Sequence, residues 1–299
     1  MNRRAVFVLS NKGGAGKTTF ARGLLDLYRL EAKEVAAYDA DGKVGQLVQH
    51  YGQRDERGAL LPLQDPKIGC GFFDIRADDD RDVLINALAD EPERLLFDLP
   101  GGLVGELGKV IDYGAAPRGL FDEYWDKGYA ITVVIVMTPV LASVRTVQES
   151  LEAFGPKVNY VVVKNLAFGP RDSFILFDGT DRDGLRFPSS LGKAAVLDAG
   201  GVIITMPPLE ARSYALLDVF NLTFKEGALG QGRGRQLPLA DRVRVRNWLQ
   251  DYEQQIYPAR TLLGLDSAEQ ADPANPTPCL LYTSPSPRDR TRSRMPSSA

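Results

Sequence analysis

The chain has 299 residues, with 36 Lys and Arg against 39 Asp and Glu, a formal charge of −3, and 44% hydrophobic side chains. That balance is ordinary for a globular protein and excludes a globally basic nucleic-acid surface, although a local patch stays open. No apolar run approaches the length of a bilayer span, which excludes a transmembrane helix, and two cysteines in 299 residues exclude a disulfide-stapled scaffold.

Residues 279–299, CLLYTSPSPRDRTRSRMPSSA, read as the translation of a sequencing adapter and not as native sequence. Setting them aside removes four Arg and one Asp, leaving 32 basic and 38 acidic side chains and a net charge of −6. Cys70 is then the lone cysteine, so no disulfide and no paired-thiol metal site is expected, and a reducing cytoplasm suits the chain. Residues 266–278, DSAEQADPANPTP, read as a polar disordered end, and 1–265 as one folded domain.

In chain order, RAVFVLS (4–10) is a short β-rich run expected as a buried first strand and not a signal peptide. Residues 16–30 place Phe20, Leu24, Leu27 and Leu30 at helical spacing. Strands are expected at 34–41, 69–76, 94–102, 130–139, 157–165 and 200–208, and helices at 79–89, 140–154, 209–220 and 238–257. The Gly/Arg-rich stretch 227–236 reads as a loop. Strands alternating with helices imply parallel βαβ units, hence a three-layer α/β/α fold around a mostly parallel twisted sheet.

Between the first strand and the first helix lies KGGAGKTT (12–19). Gly13, Gly14 and Gly16 let backbone N–H groups turn toward anionic oxygens, and the helix N-terminus adds its positive end. In a phosphate-binding loop of this kind Lys17 reaches the β- and γ-phosphates and the Thr18 hydroxyl ligates Mg²⁺. Lys12 is one lysine more than such a loop needs.

The string resembles the deviant Walker A motif, K-G-G-x-G-K-[ST]-[ST], of the ParA/MinD superfamily of P-loop ATPases. The resemblance extends over about residues 4–225 and implies a P-loop NTPase fold binding ATP and Mg²⁺. It implies that Lys12 crosses a nucleotide-sandwich homodimer to touch the partner's phosphates. Catalytic roles are thereby implied for Lys12, Lys17 and Asp41. Nucleotide contacts are implied for Gly13, Gly14, Ala15, Gly16, Lys17, Thr18 and Thr19, with Asn165 and Pro207 beside the base. Thr18, Asp39 and Asp98 would support the metal. Many relatives have D-x-D-P-Q where this chain has Asp39-Ala40-Asp41-Gly42-Lys43, so the loop after Asp41 departs from the pattern. Paired cysteines for an iron–sulfur carrier and a second phosphate loop are both missing, which leaves a small ATPase that switches between monomer and dimer. The roles implied are partition of a plasmid or chromosome, cellular positioning, or plasmid-stability or conjugation support, with an activating partner protein. A metabolic synthetase of the cobyric acid or dethiobiotin type is the alternative, although these usually lack the early lysine.

Other features carry less. His50, the lone histidine, is expected on the surface or in a loop, Cys70 in the core, and the DDDRD run (78–82) as the acidic cap of a helix. Arg233, Arg235, Arg242, Arg244 and Arg246 are expected either to form a DNA-facing patch or to be the solvated face of a docked terminal helix. Asp241, Asp251 and Glu253 weaken the case for a membrane-binding helix.

Overall fold

A computed structural model describes residues 3–10, 12–42, 45–77, 80–103, 119–182 and 184–265. The expected disordered end, the adapter-like stretch, Lys43 and the first two residues of the DDDRD run lie outside the described residues. Among the described residues, seven strands form one sheet: β1 (Arg3–Leu9), β2 (Ala36–Asp39), β3 (Gly71–Phe72), β4 (Arg94–Asp98), β5 (Tyr129–Met137), β6 (Asn159–Asn165) and β9 (Val202–Met206). Their order is β3-β2-β4-β1-β5-β6-β9 and every neighbouring pair is parallel. A separate antiparallel hairpin pairs β7 (Thr180–Arg182) with β8 (Leu185–Phe187). The helices are α1 (Lys17–Leu30), α2 (Gln46–Tyr51), α3 (Val83–Asn86), α4 (Leu120–Asp126), α5 (Leu141–Phe154), α6 (Ile175–Asp178), α7 (Leu191–Asp198), α8 (Ala211–Val219), α9 (Phe224–Leu229) and α10 (Leu239–Ile256).

The three layers follow from the two-residue period of a strand. In β1, Ala5, Phe7 and Leu9 face a core shared with Phe97, Phe121, Tyr124 and Val147. Val6 and Val8 face the opposite core, with Phe20, Leu24, Trp248 and Tyr252. Both faces are covered, which is why the central strands read as unbroken apolar runs. On the second face Gly23 admits α10 against α1, since a Cβ there would lie 2.8 Å from the Tyr252 ring. Tyr252 Oη then donates to the Phe20 carbonyl at 2.9 Å. The apolar face of α10 (Val245, Leu249, Tyr252, Ile256) is buried, as a docked terminal helix requires. Among the described residues no helix is long and apolar enough to cross a membrane.

Several expectations need correction. The strand expected over 69–76 shrinks to Gly71–Phe72, because the backbone beyond makes isolated bonds and a single antiparallel bridge, Asp41 to Asp74, in place of a continued parallel ladder. Asp82 stands at the N-cap of α3 with φ −58° and its carboxylate caps nothing, while Asp80 accepts from the Asp74 N–H at 3.0 Å. The stretch 227–236 is helical at both ends. Thr223 and Glu226 close a capping box on α9, Gly230 ends it in the left-handed region, and a 3₁₀ turn spans Gly232–Gln236. His50 is buried on α2, against α8, and not at the surface. Cys70 is in the core as expected, and burial pushes its thiol well up.

Asp26, on α1, is fully buried, and its Oδ2 accepts from Tyr51 Oη at 2.8 Å and the Lys225 N–H at 2.9 Å. Burial outweighs these bonds and raises its pKa from 3.8 to about 6. Between those values the folded chain holds a proton that the unfolded chain has released, so stability falls as pH rises through the window, by about 3 kcal/mol in full. Asp26→Asn, whose carbonyl accepts the same two bonds, should therefore melt above the parent at pH 8 and lose that advantage near pH 4. Thermal denaturation at the two pH values checks it.

Candidate nucleotide-binding site

The carboxyl ends of β1, β2, β4, β6 and β9 gather the residues singled out in the sequence. β1 runs into the glycine loop, where Ser10 Oγ accepts from the Lys12 N–H at 3.1 Å and donates to the Lys12 carbonyl at 3.2 Å. Lys12, Gly13 and Gly14 are exposed at the tip, whereas Ala15 and Lys17 are buried. Gly16 begins α1 with φ 98°, a left-handed value that suits glycine. A Cβ on Gly16 would fall 2.3 Å from Asn165 Nδ2 and 3.1 Å from the Met206 methyl carbon. Gly16→Ala is therefore expected to abolish nucleotide binding and to lower the melting temperature by several degrees, because left-handed strain of about 1–3 kcal/mol adds to the clash. Calorimetry with and without nucleotide measures both.

Asp39 ends β2, 1% exposed. Its Oδ1 accepts from the Asp41 N–H at 3.2 Å and its Oδ2 from the Val48 N–H at 3.1 Å. Burial raises its pKa, and the backbone donors oppose the rise. Asp98 ends β4, directly beside Asp39 in register. It is buried, its Oδ1 has no hydrogen-bond partner, and burial followed by the Asp39 charge raises its pKa to about 8 against the opposing pull of Thr18 and Lys17. Burial also lowers the Lys17 pKa, although the charges of Asp98 and Asp41 oppose this. Asp39 and Asp98 are thus side by side at the strand ends, with Thr18 bonded to Asp98 and the Lys17 charge acting on it.

This donor set fits a hydrated Mg²⁺ held through one hydroxyl, phosphate oxygens and waters, the arrangement that ion favours. The orphaned Asp98 Oδ1 is the kind of acceptor a metal-bound water would fill. Among the described residues no group of three or more His, Cys, Asp or Glu side chains could hold a metal by itself.

Asp41 is half-exposed, and its carboxylate lies 3.6 Å from Arg76 Nη1. The other guanidinium nitrogen, Nη2, donates to the Gly101 carbonyl at 3.0 Å. Gly101 packs on the loop so closely that a Cβ would stand 3.1 Å from the Gly13 nitrogen. Arg76 therefore ties the Asp41 segment to the turn after Asp98. Sequence reading passed Arg76 over, since it lies in a loop and matches no motif.

On the other flank Asn165 ends β6. Its Nδ2 donates to the Ala15 carbonyl at 2.8 Å and its Oδ1 accepts from the Ala167 N–H at 3.0 Å. The side chain thus braces the phosphate loop while lining a cavity of about 340 Å³ with Thr19, Met206, Pro207, Tyr214 and Asp218. Pro207 is fixed from behind by Trp248 Nε1, which donates to its carbonyl at 2.8 Å. Tyr214 and Asp218 were not picked out from sequence. Their spacing of four on α8 puts them on one helical face following Pro207, which is the signal that was available.

The arginine cluster is largely engaged. Arg233 pairs with Glu226 at 3.2 Å and Arg244 with Asp241 at 3.1 Å. Arg242 donates to the Leu237 and Arg235 carbonyls, both at 2.6 Å, and so closes the 3₁₀ turn onto α10. Arg235 and Arg246 are exposed.

No curated protein is matched by the sequence. Among solved structures, the chain is similar to a nucleotide-binding protein from Archaeoglobus fulgidus in complex with ADP (19% identity, 83% of this chain and 91% of that one, TM-score 0.41). It is also similar to a ParA family ATPase from Chlorobium tepidum TLS (14%, 83% and 98%, TM-score 0.46). A third is the septum site-determining protein MinD from Pyrococcus horikoshii complexed with Mg-ADP (16%, 82% and 95%, TM-score 0.42). The family model for the CobQ/CobB/MinD/ParA nucleotide-binding domain matches residues 6–206, from the middle of β1 to the end of β9. With the glycine loop, the strand-end aspartates and the parallel sheet all inside that span, the chain belongs to the CobQ/CobB/MinD/ParA nucleotide-binding family.

Proposed function

We propose that the protein is an ATP-dependent dimerising ATPase switch of the ParA/MinD type, acting in the cytoplasm in partition of a replicon or in cellular positioning. The observation that carries this reading is the contrast between the two loop lysines: Lys17 is buried beside Asp98 and Asp41, whereas Lys12 stands exposed at the tip. An exposed lysine beside a buried one supports a role for Lys12 outside its own site.

In this reading the loop amides and Lys17 bind the β- and γ-phosphates, Thr18 with Asp39 and Asp98 holds hydrated Mg²⁺, and Asp41 orients the attacking water. Mg²⁺, when bound, neutralises charge on the transferring phosphoryl group. Lys12 supplies a cation to the partner's phosphates, and a partner protein accelerates hydrolysis. The Arg76 link would feel loss of the γ-phosphate, because it joins the Asp41 segment to the turn over Gly13. Surface binding, to non-specific DNA in the partition role, would fall to Arg235 and Arg246 in the first place, since Arg233, Arg242 and Arg244 already have partners.

The test is self-association of Asp41→Ala with Mg-ATP and with Mg-ADP, by sedimentation velocity, followed by retention on duplex DNA across a salt series. A dimer with ATP and a monomer with ADP is expected, with DNA binding only in the ATP state and weakening steeply with salt through counterion release. A monomer in both states overturns the reading.

A further inference from the structure

Behind the cavity beside Pro207 lies a charged group that the proposed chemistry does not use. Arg22, on α1, is fully buried, and His50, on α2, is 4% exposed. Both converge on one oxygen of Asp218: Arg22 Nη1 at 3.1 Å and His50 Nε2 at 3.1 Å from Oδ1. Arg22 Nη2 also donates to the Leu222 carbonyl at 3.1 Å, and its guanidinium lies over the Phe224 ring at 4.5 Å. Arg22 Nε and His50 Nδ1 are buried without partners. Arg22 Nη1 also donates to Tyr214 Oη at 3.4 Å. This costly arrangement of buried polar groups ties α1 to the end of α8 and holds the Asp218 carboxylate in position.

That carboxylate is 43% exposed and belongs to the cavity wall. Half-burial pushes its pKa up, but the His50 hydrogen bond and the Arg22 charge prevail and hold it below the usual carboxylate range, so it is ionised at neutral pH. Burial lowers the His50 pKa, so the ring is neutral and Nε2–H is the donor. Arg22 balances the carboxylate's charge. The second oxygen, Oδ2, then calls for a neutral donor and not for a further cation. The neighbouring wall, Met206, Pro207, Leu209 and Ala215, is apolar, which strengthens a single polar contact.

We infer that Asp218 is a specificity-determining residue of the nucleoside pocket, accepting a hydrogen bond from an N–H or O–H donor of the bound nucleoside. The inference rests on the nucleotide-binding reading above. Two groups of ATP carry such a donor: the exocyclic amine of the base and the ribose hydroxyls.

The geometry also says what a substitution would do. Two donors face Oδ1, so in Asp218→Asn the amide carbonyl must take that position. The amide NH₂ then replaces Oδ2 at the cavity, and an acceptor becomes a donor with almost no change of shape.

The experiment is calorimetric binding of ATP, inosine triphosphate and 2′,3′-dideoxy-ATP, each with Mg²⁺, to the parent and to Asp218→Asn, with melting curves for both. If the amine is read, the parent prefers ATP over inosine triphosphate by at least about tenfold. Asp218→Asn should then collapse or invert that ratio, because the 6-oxo group accepts from the new amide. If a hydroxyl is read, the parent discriminates against 2′,3′-dideoxy-ATP instead and the variant loses that discrimination. Either result supports the assignment and names the donor. Equal affinity of the parent for all three nucleotides overturns it, whatever the variant does. So does a uniform loss for all three in a folded Asp218→Asn, which would make the residue purely structural. Failure of the parent to bind any of the three, or equal binding by Lys17→Ala, overturns the nucleotide reading itself.

Discussion

Lys17→Ala should lose at least about a hundredfold in ATP affinity. Lys17 is 8% exposed, and its burial makes the charge costly, which lowers its pKa against the opposing charges of Asp98 and Asp41. A bound anion would offset that cost. Hydrogen bonds to charged groups are worth about 1.5–3 kcal/mol each, and a lysine shared by two phosphates forms more than one. Its removal also leaves Asp98 without its nearest positive charge, and Asp98 then repels phosphate more strongly whenever it is ionised. Isothermal titration calorimetry gives the answer directly. An affinity within threefold of the parent would mean that the anion site lies elsewhere.

Lys12→Ala should behave in the opposite way. The residue is exposed, so stability should change by less than about 0.5 kcal/mol and ATP binding by the isolated chain should be near normal. Hydrolysis within the dimer should fall by about 10³-fold or more, the scale of a cation supplied in trans during phosphoryl transfer. Mixing separates this from a local effect. Lys12→Ala and Asp41→Ala are each expected to be inactive alone. In a mixed dimer the Asp41→Ala subunit still offers Lys12 to a site whose own Asp41 is intact. Phosphate release that reappears on mixing establishes the crossed arrangement, and a mixture as inactive as its parts refutes it.

Much of the fold was legible because its strands are buried on both faces. VFVL, LLF, ITVVIVM and YVVV announce themselves as apolar runs, and the structure puts strands on all four. The elements missed are those whose stability comes from tertiary contacts. α2 has six residues, no side-chain cap and a buried histidine, and it exists because Val48 N–H is anchored on Asp39 and His50 on Asp218. The β7–β8 hairpin joins two three-residue runs, TDR and LRF, too short for any periodicity to mark. α9 had a readable start in Thr223 and Glu226, but the glycines and arginines that follow disguised it as a loop.

The candidate site divides in the same way. Residues on the glycine loop could be named from spacing, because phosphate binding needs particular types in a fixed order, and those at strand ends followed from the resemblance that the loop carries. The side-chain contacts of Arg76, Tyr214 and Asp218 could not be read in this way, because their partners lie 25 or more residues away in the sequence, at Asp41 and Gly101, Thr19 and Arg22.

The bond from Trp248 to the Pro207 carbonyl gives the molecule an optical reporter of its own. Only two tryptophans occur in the chain. Trp125 sits on α4, on the opposite face of the sheet, under the ammonium of Lys157 at 4.3 Å. Trp248 is 3% exposed, stacked with Tyr252 and in contact with Phe224, and its N–H bonds to the residue that lines the cavity. A base seated against Pro207, as the proposed function has it, would alter the field on that carbonyl and hence the indole emission. With Trp125 replaced by Phe, the remaining fluorescence would then read the state of the pocket in real time, without a dye or a modified nucleotide.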